Sequence, residues 1–175
     1  MSDIFFFSRR TDYGWLSNFH RAPITLDGKV WRTTEHYYQA QKTLDNEERE
    51  WIRAIVKPFD AKMAGYRVKI REDWDDIKER VMLRCLVAKF LQHDSLREAL
   101  IGTGDAVLHE DNPKDEYWGY ANGIGRDRLG VLLMFVRSGF VERCDIVDHN
   151  LNVDKPVPRM CCHRCLSRIE HVGVE

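Results

Sequence analysis

Apolar and polar positions along the chain change their period several times, and each change marks an element. IFFFS (4–8) is a short apolar run, as expected of a strand. In PITLDGKVW (23–31), Ile24 and Leu26 are separated from Val30 and Trp31 by Asp27-Gly28. That pair favours a two-residue turn and predicts a β-hairpin. From Thr33 the period lengthens to that of a helix. Either Thr33 or Thr34 can cap TTEHYYQAQK (33–42), with Tyr37, Ala40 and Leu44 as its buried stripe. A second helix is expected over about 46–56, with Trp51, Ile52, Ile55 and Val56 on its apolar side. Pro58 suits the first position of a short helix that Gly65 stops.

Asp73 can cap a long helix over about 74–92, where Ile77, Val81, Cys85, Leu86, Ala88 and Phe90 recur at helical spacing. A short helix after Asp94-Ser95 ends in GTGD (102–105). AVLHE (106–110) suits a strand, and LGVLLMFVRS (129–138) suits a last helix closing at Gly139. DNPKDEYWGYANGIGRDR (111–128) has no period and reads as a loop. The pattern predicts a helix-rich α+β domain with a small sheet over residues 1–144, followed by a tail over 145–175.

Composition narrows this picture. The 175 residues are 43% hydrophobic and 31% charged, enough apolar material for one core. A net charge of −1 argues against bulk electrostatic capture of nucleic acid, though local arginines such as Arg9, Arg10, Arg126 and Arg128 could form a basic rim. No run is long and apolar enough to span a membrane, and no signal-like start is present, so a soluble, cytoplasmic protein is expected. Five cysteines, an odd number, do not form a secreted disulfide framework.

Three clusters carry candidate chemistry. On the helix starting near Thr33, Glu35, Tyr38, Gln39 and Lys42 form a second stripe beside the buried one. Glu35 and Lys42 stand roughly 10 Å apart along the axis, too far for a direct ion pair and suited to a sugar-sized ligand between them. The alternative is a solvated face, with Glu35 favoured by the helix dipole and Lys42 in water. The 111–130 segment surrounds Asp115, Tyr117 and Trp118 with glycines and leads into a helix. Its backbone amides, with Arg126 and Arg128, could hold a phosphate. YGWLSNF (13–19) puts Asn18 and Phe19 in a loop, where an amide can read a base edge or ribose hydroxyl and a ring can stack; a packed aromatic loop is the alternative. Trp74 is either an anchor at a helix start or a stacking lid.

Taken together, YGWLSNF…PITLDGKVWRTTEHYYQAQK, AKMAG…EDWDDIKERVM…AKF, TGDAVLHE and DEYWGYANGIGRDRLGVLLM resemble, in order and spacing, the NADAR superfamily of YbiA-like proteins over about residues 4–140. The resemblance implies a helix-rich fold with a small sheet and cleavage of N-glycosidic bonds between ribose and nitrogen. It associates two substrate classes with the chain: phosphoribosylamino-pyrimidine intermediates of riboflavin synthesis, and ADP-ribose attached to guanine in nucleic acid. Carried over by position, it implies Glu35, Lys42 and Asp115 as catalytic residues. It implies Asn18, Phe19, Tyr38, Trp74, Trp118, Gly119, Arg126 and Arg128 as substrate-binding residues. Asp127 departs from the Asn frequent at that position, and its negative charge argues against a phosphate at that turn.

Such a reaction builds positive charge at the anomeric carbon and negative charge on the leaving nitrogen. One carboxylate stabilises the first or directs water, and a proton donor assists the second. Lys42 could add as a neutral amine to the ribose aldehyde, or stay charged to hold phosphate or orient Glu35. No organic cofactor is required. In the tail, Cys162-x-x-Cys165 has the spacing of half a zinc site, with a reduced thiol tail as the alternative. The expected partner is a small nucleotide-like substrate, free or on ADP-ribosylated nucleic acid, and not a membrane. The competing function is a non-catalytic module that binds ADP-ribose or NAD.

Overall fold

The computed structural model describes residues 2–7 and 12–141. Arg9, Arg10, the boundary at 144/145 and the tail with Cys162 and Cys165 lie outside them. Contacts divide the chain into two compact units. One takes residues up to 17 and those from 94 onward, and the other takes residues 18–93.

The 18–93 unit opens with the expected hairpin. Strands β1 (Ile24–Leu26) and β2 (Lys29–Trp31) pair antiparallel around Asp27-Gly28, whose φ values of +54° and +70° are those of a tight two-residue turn. Helix α1 (Thr34–Ala40) begins at Thr33, whose hydroxyl accepts from the His36 N–H. Helices α2 (Asn46–Ala54), α3 (Pro58–Ala64) and α4 (Trp74–Gln92) follow, and α1 packs against all three and against β2. This central position buries every residue of α1, polar or not.

Three sequence expectations change here. Leu44 is exposed, because α1 ends at Ala40 and the stripe cannot extend past it. In α2 only Ile52 is buried: the helix stops at Ala54, Ile55 is extended, and Trp51 and Val56 face outward. Asp73 precedes α4 but its carboxylate does not cap it, since the Arg71 guanidinium takes both oxygens. Gly65 does end α3, yet with φ −62° it is not in the left-handed conformation that usually explains a glycine there.

The other unit holds strands β3 (Ile4–Phe6) and β4 (Leu108–Glu110), paired parallel with Ile4 opposite Leu108. All of residues 18–93 lie between them in the chain, as a parallel pair requires a long connection. Helices α5 (Asp94–Gly102) and α6 (Arg128–Val141) complete it. Gly139 is buried inside α6 and does not end it. Arg137 of α6 donates to Thr103 Oγ1 (2.7 Å) and to the Ala106 carbonyl (2.9 Å), tying the helix to the approach to β4. The fold is α+β, with six helices and two small sheets among the described residues.

Candidate active site

The 18–93 unit holds six of the sequence-predicted residues, on α1 and on the segments next to it. A polar helix in a core must partner its side chains internally or lose several kcal/mol per orphaned group. Thr34 Oγ1 donates to Asn18 Oδ1 (2.9 Å), and the Asn18 carbonyl accepts from the Glu35 N–H (3.2 Å). Asn18 Nδ2 donates to Met82 Sδ (3.2 Å), so the Asn18 amide braces the start of α1 against α4. Phe19 follows, half-buried. His36 Nε2 bonds the Ile55 carbonyl (3.0 Å) and Nδ1 meets Thr33 Oγ1 (2.8 Å). Burial pushes its imidazole below the usual range, partly offset by the Ile55 bond. Tyr37 donates to Asp27 Oδ2 (3.0 Å), which Arg84 of α4 also holds; burial pushes the Tyr37 phenol up.

Glu35 is only 5% exposed, and its Oε1 accepts from Gln39 Nε2 at 2.7 Å, one turn along. Lys42 is 8% exposed and sits just past the end of α1. Its backbone is held there by its own N–H to the Gln39 carbonyl and by the Arg71 N–H to its carbonyl (2.8 Å). The Lys42 amine lies 4.9 Å from the centre of the Tyr66 ring and 6.0 Å from that of Tyr38. Tyr38 in turn meets Trp74, the first residue of α4, at 5.1 Å between ring centres. Lys42, Tyr38 and Trp74 thus gather at the C-terminal end of α1, while Glu35 is buried in its first turn. The reading of Glu35 and Lys42 as a solvated face fails, because both are buried.

Two residues here escaped the sequence reading. Tyr66 follows Gly65 directly and keeps a largely exposed ring beside the Lys42 amine. Its spacing from α1 carries no period, so only folding brings it there. Lys89 of α4 is fully buried, with its amine 5.3 Å from the Phe90 ring centre. Burial pulls that amine down to about 7. Cys85, one turn earlier, is raised by burial and then by the negative charge of Glu35, while Lys89 lowers it. The thiol thus lies within the fields of both groups. The one available signal was Lys89 itself, a lysine on the apolar side of the long helix.

In the other unit, the 111–127 loop holds Asp115, Trp118, Gly119 and Arg126, and Arg128 opens α6. Asp115 Oδ1 accepts from the Trp118 N–H (3.0 Å) and its carbonyl from the Gly119 N–H (2.8 Å), closing a turn. A Cβ on Gly119 would meet the Asn112 and Asp115 carbonyl oxygens at 2.8 and 2.9 Å, so the turn needs glycine. The Arg126 guanidinium lies 5.8 Å from the Tyr117 ring centre. The amides of Arg126, Asp127, Arg128 and Leu129 donate to the carbonyls of Glu116, Gly119, Tyr117 and Trp118. Any phosphate at this turn would therefore be met by side chains, because these backbone amides are spent within the loop.

The Asp127 carboxylate is also turned inward. Its Oδ2 lies 2.7 Å from His109 Nδ1 and its Oδ1 accepts from the Glu110 N–H (3.1 Å). His109 is stacked between Phe5 and Tyr120, each 4.9 Å away. Asp127 thus clips the loop's end to β4; burial pushes its carboxyl up, against the pull of these partners. Among the described residues no cluster of histidine, cysteine and carboxylate side chains is suited to a metal.

Comparison with known proteins completes the assignment. The NADAR domain model matches residues 5–141, and the chain belongs to the NADAR domain family. It is 49% identical over 136 residues to the N-glycosidase YbiA of Shigella boydii, covering 76% of this chain and 85% of that one. It is 39% identical over 141 residues to the N-glycosidase Npun_R5314 of Nostoc punctiforme, covering 77% and 90%. The solved structure of E. coli YbiA superposes with a TM-score of 0.74 at 42% identity, over 82% of this chain and 88% of that one. The protein is accordingly an enzyme of the N-glycosidase class, a hydrolase acting on N-glycosyl bonds.

Proposed function

We propose that this enzyme hydrolyses the bond between ribose C1 and the nitrogen of a ribosylated base or amine. Phosphoribosylamino-pyrimidine intermediates of riboflavin synthesis are the first substrate class, and ADP-ribosyl-guanine in nucleic acid is the second. The observation that carries the reading is the burial of both Glu35, in the first turn of α1, and Lys42, just past its end, with the rings of Tyr38 and Tyr66 beside the amine and Trp74 against Tyr38. Relatives named riboflavin biosynthesis proteins support the first class: one from Vibrio vulnificus is 39% identical over 145 residues, which make up 79% of this chain and 39% of that protein.

Glu35 stabilises the positive charge that develops at C1 or directs water to it. The rings of Tyr38 and Trp74 hold the base or sugar by stacking, with Asn18, followed by Phe19, at the start of α1. Lys42 supplies an amine. In its neutral form it adds to the aldehyde carbon of the opened ribose, water leaves, and an imine forms that water later cleaves to regenerate both. Asp115, Trp118, Gly119, Arg126 and Arg128 are the loop's candidates for proton donation and substrate binding. Asp115→Asn in the same assay reads the proton-donor role.

The test is release of sugar phosphate or ADP-ribose from the two substrates. Lys42→Ala is expected to abolish turnover while leaving the circular dichroism spectrum and melting temperature near the parent's. Borohydride with substrate, followed by peptide mapping, should leave the adduct on Lys42. An adduct on Lys89, whose amine burial already favours as neutral, would reassign the role. Near-normal turnover by Lys42→Ala, with no trapped adduct, would end the amine mechanism.

A further inference from the structure

Gln39 presents an imbalance. Its side chain is buried at 3% exposure, and its Nε2 donates to Glu35 Oε1 at 2.7 Å. Its Oε1 is buried with no hydrogen-bond partner. An orphaned buried acceptor is destabilising, so an element under selection for stability alone would not keep it. What the amide accomplishes in return is a single contact, to the carboxylate of Glu35.

Gly65 explains how the amide reaches that position. A Cβ on Gly65 would lie 1.9 Å from Gln39 Oε1 and 2.8 Å from Cδ. The glycine has an ordinary right-handed φ of −62°, so backbone conformation does not demand it; space does. The end of α3 is cut back to hydrogen at the one point where the Gln39 amide must lie. With any larger residue the amide has to swing aside, since its far end is what the new atom meets, and its bond to Glu35 would break.

We infer that Gln39 is a positioning residue for Glu35, and that Gly65 is glycine in order to leave room for it. A fixed N–H donor limits the rotamers of a carboxylate in a core and favours its charged form relative to the same site without the donor. This inference rests on the proposed role of Glu35 at the ribose anomeric carbon. It adds two residues to that role: one on α1 that aims the carboxylate, and one on α3 that touches no substrate.

The experiment uses the full chain with Gln39→Ala, Gly65→Ala, the double variant and Glu35→Gln. Two quantities are read: the titration of the Glu35 carboxyl by carbon-13 NMR, and the pH profile of kcat/KM on the substrate turned over. Gln39→Ala and Gly65→Ala should each raise the Glu35 titration midpoint and the acid limb of the profile by about one pH unit, with kcat falling more than KM changes. A general loosening of the fold would not move both midpoints together. In the Gln39→Ala background Gly65→Ala should add little, because the two closest atoms, Oε1 and Cδ, are gone and only the milder 3.1 Å approach to Cβ stays.

Equal effects of Gly65→Ala in both backgrounds, or an unmoved Glu35 titration in Gln39→Ala, would overturn the inference. If the titration moves as expected but Glu35→Gln turns over normally, Gln39 and Gly65 do set the carboxylate, and the catalytic role of Glu35 is what fails. Should Gly65→Ala not fold, Gln39→Met still reads the carboxylate alone.

Discussion

Glu35, His36, Tyr37, Tyr38 and Gln39 are five consecutive side chains with polar atoms, and all are buried. Their partners differ in what they demand of the medium. His36 is held neutral by burial, so the unfolded chain takes up its proton first as the pH falls. Its contribution to stability is therefore present above the ordinary histidine range and is lost as the pH drops below about 6.5. Denaturant midpoints should fall less between about pH 7 and pH 5 in His36→Gln than in the parent. Lys89 acts over a different window. Its amine is pulled from 10.5 down to about 7, so between these values the unfolded state binds the extra proton and stability rises with pH. Lys89→Met should lose that rise, measured by chemical denaturation from about pH 7 to pH 10. Glu35 and Lys42 were legible in the sequence through their types, their separation and the family resemblance. Lys89 was not, because a lysine among helical positions is ordinarily solvated and only the packing of neighbours makes it a core residue.

At the scale of elements, glycine does two separate jobs that substitution can tell apart. Gly28 holds a φ of +70° in the β1–β2 turn, and a Cβ there would meet nothing within 4 Å. Gly28→Ala should cost only the backbone term, about 1 kcal/mol, as a small shift in melting temperature. Gly130 is the third residue of α6, in its first turn, and a Cβ there would lie 2.0 Å from the Leu108 backbone oxygen. Backbone on both sides has no cheap way to yield. Gly130→Ala should therefore destabilise by several times the Gly28→Ala amount, or prevent expression of folded protein. The hairpin and the helix starts at Thr33 and Pro58 were readable because turn and cap chemistry is local. The exposed Leu44 and Val56 were not, since a periodic stripe continues on paper after the helix carrying it has ended, and Trp51 was not because in α2 only Ile52 is covered by neighbouring elements.

For the whole molecule, 27 basic residues nearly balance 28 acidic ones, and no helix among the described residues is long and apolar enough to cross a membrane. Without a dominant field, capture of a small nucleotide-like substrate should owe little to long-range steering. Raising salt from about 50 to 200 mM is expected to change kcat/KM by no more than about twofold. A steep fall would instead indicate many phosphate contacts and point to a nucleic-acid substrate. The α+β class, the order of elements, the family and the choice of Glu35 and Lys42 as candidates follow from the sequence alone. Local propensities, turn chemistry and a specific joint pattern of residues are written along the chain. Tertiary structure alone decided that α1 is enclosed on every side, that Tyr66 faces Lys42, that Lys89 is buried, and that Gly65 yields its space to Gln39. Each of these depends on which elements meet, and the distance between residues far apart in sequence is set by packing and by no local rule.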